Sequence, residues 1–201
     1  MLNQLNIVIF ECINAFAGRS SVLDQVARIT AEYLPLIFAV WLVILWLKKE
    51  KIYKNIALLA GYSMLTDLSL NFMVTIFYFH PRPFMEDMGI LLVQHAAETS
   101  FPSDHATLML SIASTLVFFE QSCMQGIILF VLGLLGGLAR VFCGLHFPLD
   151  IVGSILIATL SSICIFRIRT HLSCLNDPVI RFFDYSSRRI KAQLSRDHHV
   201  Q

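Results

Sequence analysis

Five long apolar runs, separated by short polar segments, account for most of the chain. A helix that crosses a bilayer needs about 20 mostly apolar residues, roughly 17 to 25. The pattern predicts spanning helices over about residues 30–47, 55–79, 106–119, 126–142 and 149–166, of which the third is somewhat short. The fold is therefore predicted to be all-α, a polytopic membrane helix bundle, because helices satisfy their own backbone hydrogen bonds in lipid.

A weaker apolar stretch covers residues 1–17. It fits either a sixth, short spanning helix or an amphipathic helix that lies in the membrane interface. No basic segment precedes it, so a removable signal peptide is not predicted. We expect a single membrane-embedded domain over residues 1–201, in which residues from about 167 onward form a basic cytoplasmic tail.

Lysine and arginine residues are concentrated in two segments. One segment, residues 48–54, lies between the first two predicted spans, and the other, residues 167–196, follows the last. Positive charge in short loops marks the cytoplasmic side. Five alternating spans place both segments on that side. Four element ends then lie on the opposite, non-cytoplasmic face: the end of the second span, the start of the third, the end of the fourth and the start of the fifth.

The composition agrees with a membrane protein. Hydrophobic residues make up 56% and charged residues 14% of the 201 residues, whereas soluble proteins average about 25% charged residues. The net charge of +1 gives no basis for nucleic-acid binding. The five cysteines show no C-x-x-C spacing, so a disulfide framework is not predicted.

Three polar segments lie at the shared face: His80-Pro81-Arg82-Pro83, Pro102-Ser103-Asp104-His105, and Arg140 with His146 and Asp150. Arginine binds phosphate oxygens through two parallel hydrogen bonds. Histidine acts as a nucleophile or a proton donor near neutral pH. Their convergence predicts an integral membrane phosphatase. No H-E-x-x-H or comparable ligand spacing occurs, so neither a catalytic metal nor another cofactor is predicted.

The local sequence indicates how these residues act. Pro102, Ser103 and Asp104 favour the start of a helix, where free N–H groups and the positive dipole end form a phosphate cradle. His146 and Asp150 are four residues apart, so their side chains meet if the backbone there is nearly helical. Taken singly, each residue also fits an ordinary role, such as a helix cap, an interfacial histidine or a snorkelling arginine.

The three segments together resemble the signature of the type-2 phosphatidic acid phosphatase superfamily, K-x6-R-P, P-S-G-H and S-R-x5-H-x3-D. The chain departs from it at three positions: Thr75 replaces the lysine, Asp104 the glycine and Ala139 the serine. The sequence around Arg82 and Ser103 is similar to one branch, the bacterial undecaprenyl-diphosphate phosphatases of the bacitracin-resistance type. In that branch the first motif is also reduced and an aspartate precedes the histidine.

The resemblance implies hydrolysis of undecaprenyl diphosphate to undecaprenyl phosphate and inorganic phosphate, without a metal. The site would face outward from the bacterial plasma membrane and recycle the lipid carrier of peptidoglycan synthesis. His146 would be the nucleophile that forms a phosphohistidine, Asp150 would orient it, and His105 would protonate the leaving group and then activate water. The residues expected to hold the phosphoryl oxygens are Arg82, Arg140, Ser103 and Asp104, the last through nearby backbone N–H groups.

Other functions remain open at the level of sequence. A phosphatase for phosphatidylglycerophosphate, phosphatidate or a lipid A phosphate would use the same residues, as would a phosphotransferase. Asp67 and Arg140, as intramembrane charges, also fit a small transporter, although the charged groups gather at one face instead of the midplane. The expected partners are a polyprenyl diphosphate and membrane lipids, and the sequence does not determine the oligomeric state.

Overall fold

The computed structural model describes residues 1–197 and contains six α-helices. Their bounds are α1 Leu2–Asn14, α2 Ser21–Leu47, α3 Lys51–Phe77, α4 Asp104–Val117, α5 Cys123–Phe142 and α6 Pro148–Asp197. A short 3-10 helix, Pro83–Glu86, follows α3, and no β-strand occurs within residues 1–197. The predicted all-α membrane bundle is confirmed. The last four residues of the predicted tail lie outside the described residues.

Four helices, α2, α3, α5 and α6, are long and apolar enough to cross a membrane. The third predicted span, α4, has 14 residues and is about 21 Å long. It still carries the chain from one end of the bundle towards the other. Asn71, near the end of α3, contacts the first turn of α4, and Ser63, two turns earlier, accepts a hydrogen bond from Thr115 near the end of α4.

Helix α4 lies at the centre of the bundle and packs against α3, α5 and α6. Glycines allow α5 to approach its neighbours closely. A Cβ atom on Gly136 would lie 2.6 Å from Cε of Met109 in α4, and one on Gly137 would lie 2.7 Å from Cγ2 of Ile151 in α6. Because real Cβ contacts are longer than this, a larger residue at either position would force the neighbouring side chain or α5 itself to shift. The close packing positions Arg140, which lies one turn after these glycines.

Helix α1 lies across one end of the bundle. Its 13 residues extend about 20 Å, less than the roughly 30 Å of a bilayer core. Asn6 accepts a hydrogen bond from the backbone of Leu149, the Phe10 ring contacts that of Phe147, and Asn14 donates to the carbonyl oxygens of Ile90 and Phe142. These contacts join α1 to the end of α5, the start of α6 and the loop between α3 and α4. Of the two sequence-based alternatives, the structure therefore favours the interfacial helix.

The segment predicted as a basic tail continues α6 without interruption and packs along α3. Tyr62 Oη donates to Asn176 Oδ1 over 2.9 Å, Lys51 pairs with Asp177 at 2.9 Å, and Lys54 pairs with Asp184. The Lys54 side chain is buried although it carries a charge. These contacts join the described part of the tail to the bundle at the end opposite α1.

Candidate active site

The predicted site residues converge at the end of the bundle that α1 covers. Two loops, the one between α3 and α4 and the one between α5 and α6, meet there. Five of the seven predicted residues are almost completely buried, with exposed fractions of 6% for Arg82, 0% for Ser103, 2% for Arg140, 1% for His146 and 1% for Asp150. His105 is half-buried and Asp104 is exposed. Burial removes competing water, which strengthens electrostatic interactions within the site.

The two nitrogens of His146 have different partners. Nδ1 lies 2.8 Å from the carbonyl oxygen of Ser100, and Nε2 lies 3.2 Å from an Nη atom of Arg82. A carbonyl oxygen only accepts and a guanidinium only donates. Nδ1 therefore carries the proton, and the unprotonated Nε2 accepts a hydrogen bond from the Arg82 guanidinium. This is the tautomer that an imidazole nucleophile requires.

Burial fixes the charge state of His146. Removal from water lowers the pKa of the imidazole to about 3, with the charges of Arg140 and Arg82 acting in the same direction and Asp150 opposing them. The imidazole is consequently neutral at physiological pH. A neutral ring retains the nucleophilic lone pair at Nε2.

Asp150 approaches His146 but is anchored mainly by other groups. Its Oδ2 accepts hydrogen bonds from the Ser100 hydroxyl at 2.5 Å and the Phe147 backbone N–H at 2.8 Å, and lies 3.5 Å from Nδ1 of His146. The four-residue spacing suggested a direct bond on a helix. His146 and Phe147 instead precede α6, which begins at Pro148. Nδ1 consequently donates to the Ser100 carbonyl group.

Ser100 is the functional residue that sequence reasoning missed. It is completely buried, its carbonyl group accepts from His146, its hydroxyl donates to Asp150, and its backbone N–H donates to the carbonyl oxygen of His80 over 2.6 Å. One residue thus joins the first polar segment to the predicted nucleophile and its acidic partner. Its only signal in the sequence is its place just before Phe101-Pro102-Ser103, which does not reveal partners 46 and 50 residues away.

The two arginines are held by backbone carbonyl groups. Arg82 donates to the carbonyl oxygens of Glu98 and Leu145, each over 3.2 Å, and Arg140 donates to that of Ala31 over 3.2 Å. Nε of Arg140 and the hydroxyl of Ser103 are buried without a hydrogen-bond partner among the described residues. Buried polar groups normally have partners. These two donors are therefore available for the oxygens of a bound anion.

The start of α4 contributes backbone groups rather than the Asp104 side chain. Ser103 is the N-cap and Asp104 the first helical residue, so the first N–H groups of the helix are available at the site. The Asp104 carboxylate accepts from Asn71 Nδ2 over 2.8 Å, which keeps its negative charge turned towards α3. Thr75, at the position of the family lysine, bonds the carbonyl oxygen of Phe72 in its own helix.

The chain is similar to several known proteins. Residues 56–173 match the model of the PAP2 superfamily. The chain is 33% identical over 180 residues to undecaprenyl-diphosphatase BcrC of Bacillus subtilis (strain 168), covering 90% of this chain and 92% of that protein. It is 30% identical over 156 residues to the putative undecaprenyl-diphosphatase YbjG of Escherichia coli (strain K12), covering 78% of each. The crystal structure of Aquifex aeolicus LpxE superposes with a TM-score of 0.69 at 27% identity, covering 81% of this chain and 95% of that one.

Proposed function

The chain belongs to the PAP2 superfamily, and from that premise we propose that this multi-pass membrane phosphatase hydrolyses undecaprenyl diphosphate to undecaprenyl phosphate and inorganic phosphate. The observation that carries the proposal is the geometry at His146, whose Nε2 lies 3.2 Å from an Nη atom of the buried Arg82 guanidinium. The proposed nucleophile, His146, and the proposed phosphate-binding group, Arg82, are therefore adjacent. The named relatives supply the substrate, since two of them are called undecaprenyl-diphosphatases.

The reaction proceeds in two displacements. His146 Nε2 attacks the terminal phosphorus, and a P–N bond forms while the bond from phosphorus to the bridging oxygen breaks. His105 gives a proton to that oxygen, which leaves as undecaprenyl phosphate. His105 then removes a proton from water, whose oxygen attacks the phosphohistidine. The P–N bond breaks as the new P–O bond forms, so that inorganic phosphate leaves and the free imidazole of His146 is restored.

The surroundings of His146 stabilise the charges that develop. As Nε2 bonds to phosphorus, the ring becomes positive, and the carbonyl group of Ser100 and the carboxylate of Asp150 lie beside its Nδ1–H. Arg82, Arg140 and the N–H groups at the start of α4 bind the equatorial oxygens of the transition state. Such fixed donors supply most of the catalysis in phosphoryl transfer.

The proposal places this site on the extracytoplasmic face of the plasma membrane. The end of the bundle opposite the site holds Lys48, Lys49, Lys51 and Lys54, together with Arg167, Arg169 and Arg181 of α6. Positive residues favour the cytoplasmic side. A site on the other face meets diphosphate released outside the cell and regenerates the carrier lipid for cell-wall synthesis.

Purified protein in detergent tests the proposed function directly. Phosphate release is measured from undecaprenyl diphosphate, phosphatidylglycerophosphate, phosphatidate and a lipid A phosphate, each with and without a chelator of divalent cations. We expect the highest kcat/KM with undecaprenyl diphosphate and no effect of the chelator. The described residues contain no group of three or more histidine, cysteine or acidic side chains arranged to hold a metal ion, and two arginines supply the positive charge. Faster hydrolysis of a monophosphate lipid, or reversible loss of activity with the chelator, would contradict the proposal.

Ser100 provides a further prediction because its hydroxyl holds Asp150. Ser100→Ala is expected to lower kcat about 10- to 100-fold with little change in KM, since a hydrogen bond to a charged group contributes about 1.5–3 kcal/mol. Steady-state hydrolysis of undecaprenyl diphosphate measures the effect. Ser69→Ala is the matched control, because its exposed hydroxyl bonds within α3. Unchanged kcat in Ser100→Ala would show that Asp150 does not need this bond.

A further inference from the structure

A cavity of about 290 Å³ adjoins the site on the side of His105 and Arg140. The loop before α4 contributes Gln94 and His95 to its lining. Glu32 and Tyr33, on α2, line it as well. The mechanism uses His105 and Arg140 but assigns no role to the loop residues. The cavity therefore contains polar groups beyond those needed to bind one phosphoryl group.

The direction of the reaction determines what this cavity receives. In-line displacement places the leaving group opposite the attacking nitrogen. His105 protonates the leaving oxygen, so its side of the site is the side of the leaving group. When the leaving group is itself a phosphate, it brings non-bridging oxygens and a negative charge that require further donors. Gln94 and His95 are polar side chains of the loop before α4 that line the same cavity as His105.

The electrostatic surroundings of His95 agree with this assignment. Burial, and next the positive charges of Arg82 and Arg140, lower the pKa of its imidazole, so His95 lies close enough to both arginines to interact with their charges. Its Nδ1 faces the carbonyl oxygen of Ala96 at 3.3 Å and the carboxylate of Glu98 at 3.6 Å. Nε2 is the remaining nitrogen. An arriving anion favours the protonated ring, which donates from that nitrogen.

The acidic residue in the wall sets the position of the anion within the cavity. Glu32, on α2, is exposed and lines the cavity, and its negative charge disfavours phosphate oxygens close to its carboxylate. Glu98 is also exposed and lies against Nδ1 of His95. There it stabilises the protonated ring that an anion at Nε2 requires.

We propose that His95 and Gln94 form a second phosphate subsite, which binds the leaving phosphate of a lipid diphosphate and gives the enzyme its preference for diphosphates over monophosphates. This inference rests on the proposed function and deepens it. A monophosphate places its only phosphoryl group at His146 and leaves the subsite empty. The subsite therefore affects one class of substrate and not the other.

The test compares farnesyl diphosphate with farnesyl monophosphate, which share one tail. His95→Ala and Gln94→Ala are each expected to lower kcat/KM for the diphosphate about 10- to 100-fold, as expected for loss of a hydrogen bond to a charged group. Hydrolysis of the monophosphate is expected to change less than about twofold, since its phosphoryl group makes no contact there. His95→Lys, which retains a cationic donor, should restore part of the diphosphate preference. His171→Ala, an exposed histidine on α6, is the matched control.

Each result has a distinct meaning. Equal losses on both substrates would show that the loop residues only maintain the fold, and unchanged diphosphate hydrolysis would show that the subsite does not exist. Either outcome overturns this inference while leaving the proposed function intact. A parent enzyme that hydrolyses the monophosphate better than the diphosphate overturns the proposed function and the subsite with it.

Discussion

Replacing His146 by alanine is expected to abolish hydrolysis of undecaprenyl diphosphate, with kcat at least about 10³-fold lower. His146 is the nucleophile that forms the covalent intermediate. Alanine has no nitrogen to attack phosphorus, and a water molecule in its place is a weaker nucleophile than a neutral imidazole. The expected loss is larger than for any binding residue because both displacements pass through this atom. Labelling of the protein by a diphosphate with a radioactive terminal phosphorus measures formation of the covalent intermediate. Phosphate release measures the complete reaction. The parent should acquire an acid-labile label and the variant none.

Because His146 is almost completely buried, its removal also leaves a cavity. His146→Asn, which retains part of the polar side chain, separates loss of the nucleophile from loss of the fold. Both variants should unfold cooperatively in detergent, and His171→Ala should keep full activity. A folded His146→Asn protein that retains about a tenth of the parent activity would exclude the phosphohistidine route.

Replacing Arg82 by lysine is expected to lower kcat/KM for the diphosphate about 10²- to 10³-fold, the usual effect of losing one fixed donor to a developing anion. Lysine keeps the charge but not the planar fork of donors. In this site the fork does three things at once. It donates to the carbonyl oxygens of Glu98 and Leu145 and places an N–H group 3.2 Å from the nucleophilic nitrogen of His146.

The measurement is kcat/KM of the Arg82→Lys and Arg82→Gln variants. Arg181→Lys is the matched control, because Arg181 is exposed in the part of α6 beyond its apolar segment. Similar losses in the lysine and glutamine variants would show that geometry matters more than charge. If Arg82→Lys kept nearly full activity, Arg82 would act only as a diffuse positive charge and the proposed phosphate contacts would be wrong.

The start of α2 shows why helix boundaries are harder to predict from sequence than the presence of the helices. The apolar run begins near residue 30, but α2 begins at Ser21, where Ser20 caps it and Asp24 lies in the first turn. Polar residues at positions 24, 25 and 28 mask the beginning of the helix in a hydropathy pattern. Capping is a local hydrogen-bonding effect that a count of apolar residues does not contain.

The sequence by itself determined the membrane bundle and predicted the residues of the candidate site. Apolar runs of bilayer length must form helices in lipid, and the alternation of spans placed Arg82, His105 and His146 at one face. Segment length, charge and residue type, all of which are local properties of the chain, are sufficient for both results.

Only the tertiary structure decided that α1 lies across the site, that Asn71 holds the Asp104 carboxylate away from it, and that Ser100 joins His146 to Asp150. It also brought His95 to the cavity beside His105. These arrangements depend on which side chains of separate helices and loops fill the same space. Such contacts follow from packing between segments distant in the chain, and no periodicity or short motif encodes that packing.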